Sequence, residues 1–81
     1  MNRWYVYILQ CSDDSLYTGI TVDLDRRLDE HNNSKKGAKY TRARRPVQMM
    51  YSETYENRSL ASKRESAIKK LSRSEKLTLL R

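Results

Sequence analysis

The chain has 81 residues, with 17 Lys and Arg against 10 Asp and Glu and a formal net charge of +7. That length allows one domain, residues 1–81, burying about 60–65% of its unfolded surface, and no stretch approaches the ~18 apolar residues of a membrane-spanning helix. The lone cysteine, Cys11, excludes an internal disulfide and, with a single histidine, a self-contained structural zinc site. The absence of an apolar leader points to the cytoplasm. Excess positive charge attracts polyanions, whether nucleic acid, anionic membrane or acidic protein.

In chain order, Trp4 to Cys11 is rich in aromatic and branched residues and reads as a strand. Ser12-Asp13-Asp14-Ser15 is a turn, and Leu16 to Thr21 is the returning strand. Loop length decides which side chains share a face. A four-residue loop over 12–15 separates Tyr7 from Tyr17. A three-residue loop over 12–14, with Asp14 left-handed, pairs Cys11 with Ser15 and puts both tyrosines on one face. The second is expected, because Asp tolerates that conformation.

Asp23 can cap a helix running to about Asn33, with Thr21 as a rival cap. Leu24, Leu28 and His31 form its stripe, and Arg27 stacks one turn before His31. Residues 34–46 are a basic stretch ending at Pro46, with Lys35, Lys36, Lys39, Tyr40, Arg42, Arg44 and Arg45, and a helical turn expected near 38–43. Val47 to Tyr55 gives a third strand. A helix from about Asn57 or Ser59 to Leu71 carries Leu60, Arg64, Ala67, Ile68 and Leu71 on one stripe, with Glu65 at its border. A last helix over 74–80 supplies leucines to close the core. The sum is an α+β domain, a small three-stranded antiparallel sheet flanked by helices.

Taken singly, the polar residues are unremarkable. Tyr7 and Tyr17 read as half-buried strand tyrosines and Arg27 as a solvated helix charge. His31 reads as a core-edge histidine, and Glu65 as the partner of Lys69 four residues on. Their order is more specific. Tyr5-Val6-Tyr7, then Tyr17-Thr18-Gly19, then Arg27-x-x-x-His31 and a later helical Glu65 resemble the GIY-YIG nuclease superfamily, in its small single-domain bacterial branch. Tyr5 replaces the glycine of the first triplet, and threonine takes the isoleucine position of the second. Ile20 stands where some relatives carry lysine, and no asparagine follows Glu65.

The resemblance implies metal-dependent phosphodiester hydrolysis of DNA, with RNA the alternative substrate. It places Tyr7, Tyr17, Arg27, His31 and Glu65 in the catalytic site and gives Glu65 one Mg²⁺ or Mn²⁺. Under that reading Tyr7 handles the attacking water, Arg27 grips phosphate oxygens, Tyr17 orients substrate, and His31 exchanges protons or bonds the phosphate. The basic stretch is the expected nucleic-acid contact: Lys35, Lys36, Lys39, Arg42, Arg44 and Arg45 for phosphates, and Tyr40 for stacking on an unpaired base. The rival readings are a non-catalytic nucleic-acid-binding module and a protein-interaction domain. Oligomeric state is left open.

Overall fold

The structure, a computed structural model, describes residues 3–81, so the first two residues of the expected 1–81 domain lie outside the described residues. Strands β1 (Trp4–Gln10) and β2 (Leu16–Thr21) form the hairpin, followed by α1 (Leu24–Asn33) and α2 (Lys39–Arg42). Strand β3 (Gln48–Tyr55) leads to α3 (Arg58–Lys69) and α4 (Arg73–Leu79). The sheet order is β2-β1-β3, with β1 antiparallel to both neighbours. No helix among the described residues is long and apolar enough to cross a membrane.

The hairpin turns as its sequence predicts. Asp14 has φ 66°, and the Cys11 N–H donates to Ser15 O at 2.9 Å. Asp13 Oδ1 accepts from both the Ser15 N–H (3.1 Å) and its hydroxyl (2.6 Å), which fixes the loop without a glycine. The resulting register sets Tyr7 opposite Gly19 and Leu9 opposite Tyr17, so both tyrosines share a face. Across the other edge of β1, Ile8 pairs with Tyr51 and Leu9 with Met49, leaving Met50 as the extra residue of a bulge.

Alternation along β1 divides the core between the two faces of the sheet. Val6 and Ile8 meet Ala61 and Ile68 of α3 on one face, joined by Trp4, Leu16, Ile20, Tyr51, Tyr55, Leu79 and Leu80. Tyr7, Leu9, Cys11 and Val47 gather on the other with Tyr17, Leu24, Leu28 and Met49. Helix α1 starts at Asp23, whose carboxylate accepts the Arg26 N–H at 3.0 Å, while Thr21 Oγ1 accepts the Asp23 N–H. Asn32 anchors the start of β3: its amide accepts the Val47 N–H at 2.7 Å and donates to Val47 O at 3.0 Å.

Helix α3 is rotated from its expected stripe. Ala61 and Ile68 are its buried residues, whereas Leu60 is 42% exposed and Ala67 is exposed. Small Ala61 lets the helix lie close to the strands. Arg64 holds the rotation, donating from Nε and Nη2 to the two Glu53 oxygens at 2.9 and 3.0 Å. Tyr51 and Tyr55 donate to the same carboxylate. Burial acts to raise the Glu53 pKa, but these donors outweigh it and take it down to about 2. The last helix is capped by a reciprocal Ser72–Glu75 box; Leu79 and Leu80 reach the core, and Leu77 stays 38% exposed.

Candidate active site at the hairpin edge

Tyr7 reaches across β2, and only a glycine opposite permits this. A Cβ on Gly19 would sit 2.7 Å from Tyr7 Cζ and closer still to its oxygen. The bare backbone of Tyr17-Thr18-Gly19 thus lets the central strand project its phenol toward α1. Tyr7 is 1% exposed and His31 wholly buried, and the two meet with Tyr7 Oη 2.7 Å from His31 Nε2.

The direction of that bond follows from the next two. Thr41 Oγ1 donates its one proton to Ala38 O at 2.9 Å, so toward His31 Nδ1, 2.8 Å away, it acts as acceptor. His31 therefore carries its proton on Nδ1, and Nε2 accepts from the Tyr7 hydroxyl. Burial, followed by the positive charge of Arg27, lowers the His31 pKa to about 4, so the ring is neutral at physiological pH. The sequence reading leaves Thr41 unassigned, since a threonine ten residues beyond the histidine carries no local signal.

Arg27, one turn before His31, donates from Nη1 to Glu30 Oε1 at 2.9 Å and to Lys36 O at 2.8 Å. Burial pushes the Tyr7 phenol up to about 12, while the nearby Arg27 guanidinium acts in the opposite direction. Tyr17 and Glu65 add smaller upward effects. The phenol is thus the point where β2, α1 and α3 make themselves felt together. Tyr17 lies edge-on to His31 at 5.3 Å between ring centroids, and stacks on Tyr40 at 5.9 Å and 27°.

Glu65 pairs with Lys69 across one helical turn, its Oε2 3.3 Å from Nζ. Among the described residues no group of three or more His, Cys, Asp and Glu side chains gathers as a metal cluster. Glu65 still suits Mg²⁺ or Mn²⁺, since Mg²⁺ is commonly held by one or two carboxylates, water and substrate phosphate. Lys69 then has to release it.

The basic stretch divides into two groups. Lys35, Lys36, Lys39, Tyr40 and Arg42 are exposed. Arg44 donates to Asp13 at 3.1 Å and to Tyr40 O at 3.0 Å, and lies 3.9 Å over the Tyr40 ring. Arg45 donates to the carbonyls of His31 and Ser34 at 2.5 Å and of Glu30 at 3.3 Å. Arg44 is thus engaged with the hairpin loop and Tyr40, and Arg45 with the end of α1, engagements their position beside Pro46 did not announce. Gly37 belongs to the same tight packing: a Cβ there would be 2.9 Å from His31 Cα.

The model of the GIY-YIG catalytic domain matches residues 3–78. A UPF0213 protein of Desulfotalea psychrophila is 60% identical over 78 residues, 96% of this chain and 71% of its own. One from Syntrophus aciditrophicus is 54% identical over 81 residues, 100% of this chain and 93% of its own. Among solved structures, the solution structure of a UPF0213 protein from Bacillus halodurans superposes with a TM-score of 0.61 at 45% identity. It is matched over 96% of this chain and 82% of its own.

Proposed function

The chain belongs to the GIY-YIG catalytic-domain family, and on that premise we propose that it is a single-domain cytoplasmic endonuclease hydrolysing DNA phosphodiester bonds with Mg²⁺ or Mn²⁺. The observation that supports this reading best is the directed chain from Tyr7 through His31 and Thr41 to Ala38 O, beside the Arg27 guanidinium.

Attack of water on phosphorus needs a proton acceptor at the nucleophile and positive charge at the phosphoryl oxygens. Tyr7 Oη takes a proton from the attacking water as its own proton passes to Nε2 of His31. A neutral phenol can do this only because its neighbour offers a lone pair, which the Thr41 bond enforces. The negative charge of the substrate raises the proton affinity of an imidazole that burial and Arg27 hold low. Arg27 binds a nonbridging oxygen, and Tyr17 positions the neighbouring sugar. Glu65 would hold the divalent ion, which would supply Lewis-acid neutralisation of the phosphoryl charge.

The test is cleavage of end-labelled single-stranded DNA, duplex DNA and RNA by the full chain and by Glu65→Ala, with Mg²⁺, Mn²⁺ or EDTA. Product formed by the wild type alone, and abolished by EDTA, supports the nuclease. The Glu65–Lys69 pair favours one second reading, a nucleic-acid-binding module without chemistry. Binding with equal background from both proteins would select it.

A further inference from the structure

Outside the catalytic edge, the start of β2 and the exposed side of α4 form a cleft of about 230 Å³ lined by Ser15, Leu16, Tyr40, Arg73 and Lys76. Arg73 and Lys76 stand three residues apart and therefore on one face of α4. Neither is paired with a carboxylate among the described residues. The one acid of α4, Glu75, is turned back onto the Ser72 N–H at 2.9 Å. Exposed Arg73 and half-buried Lys76 thus line the cleft without a carboxylate partner, beside the 38%-exposed Tyr40.

This cleft adjoins the catalytic edge. The Tyr40 ring that forms its wall stacks on Tyr17, and Tyr17 abuts His31. We propose that the cleft is a backbone subsite, in which Arg73 and Lys76 bind a phosphodiester of the strand being cut, a short distance from the bond at Tyr7. The proposal rests on the nuclease reading for the presence of that strand.

The chemistry selects this occupant. Two unpaired cations and a phenol edge match a phosphate and sugar. The cleft is a shallow groove of about 230 Å³, open enough to admit one link of a longer chain. The net charge of +7 supplies long-range attraction to such a polyanion.

The test uses the full chain, a single-stranded 20-mer and bis(p-nitrophenyl) phosphate, a diester too short to span both sites. The Arg73→Gln/Lys76→Gln variant is compared with Lys63→Gln/Lys70→Gln, which removes two exposed cations elsewhere. At ~0.7 per phosphate on single strands, loss of the one phosphodiester held by both cations lowers the slope of log Kd against log salt by roughly 0.7 and weakens 20-mer binding about 10-fold. Hydrolysis of the short diester stays unchanged, and the control variant shifts the slope by less. An unchanged slope, or the same change in both variants, overturns the subsite while leaving the nuclease standing. A slope change specific to Arg73 and Lys76 in a protein that hydrolyses neither substrate keeps the subsite and removes the nuclease. Failure of the wild type to bind the 20-mer overturns the subsite outright.

Discussion

Tyr7 occupies the volume that a side chain at Gly19 would need, two residues facing each other across the hairpin. The second motif's glycine is thereby a steric partner of the first motif's tyrosine. Gly19→Ala forces the ring off His31 or the strands apart. Overpacking of this kind costs roughly 1–3 kcal/mol. Loss of the positioned phenol lowers cleavage about 100-fold. Thermal unfolding and cleavage rates measured on the same sample check both; a fully active variant would mean that Tyr7 has another way to reach His31.

Tyr7→Phe separates chemistry from packing. The ring remains, but Nε2 of His31 is left buried without a donor, at a cost of about 1–3 kcal/mol. Cleavage falls by roughly 10²–10⁴ with DNA binding preserved. Retained turnover with a normal binding curve would remove Tyr7 from the proton path.

Thr41 is expected to act through the histidine tautomer. Thr41→Val removes the acceptor at Nδ1, so His31 moves its proton to Nε2 and can no longer accept from Tyr7. Thr41→Ser restores the original arrangement. Nitrogen chemical shifts of the single imidazole report the tautomer directly, and activity should follow it: lost in valine, kept in serine. A serine variant as inactive as valine would point to packing instead.

The pH dependence of stability has two separable windows. His31 titrates near 6.5 when unfolded and at about 4 in the fold. The unfolded chain therefore binds more protons between those values, and stability falls as pH drops from 6.5 toward 4, by up to about 3 kcal/mol. Glu53 moves from 4.5 to about 2. Its stabilisation is present above 4.5 and is lost as pH falls toward 2. Chemical denaturation across pH 2–8 should show that His31→Gln flattens the upper window only and Glu53→Gln the lower one only. A shared effect would show that the two groups, on opposite faces of the sheet, are coupled.

The hairpin was legible because its geometry is local: one left-handed residue, Asp14, settles the register, and register settles the face of both tyrosines. The cap at Asp23 and the short α2 turn follow from equally local rules. Helix α3 was misread because its rotation is set from outside, by the fork between Arg64 and Glu53 on β3. A stripe drawn through leucine and isoleucine ignores that a small alanine beside a strand is the better-buried residue, which is why Leu60 faces outward. The expected site residues Tyr7 and His31 are brought into contact, with Arg27 acting on the same phenol. Thr41 escaped notice because its partner is tertiary.

The arginine that holds the end of α1 changes what that end presents to a polyanion. The carbonyl end of an α-helix carries about half a negative charge, which repels phosphate. In α1 that end opens directly into the lysine-rich segment. Arg45 places its guanidinium on the carbonyls of Glu30, His31 and Ser34 and cancels the repulsion at its source. Its effect is electrostatic concealment: Lys35, Lys36 and Lys39 stand beside a neutralised helix terminus instead of an opposing dipole.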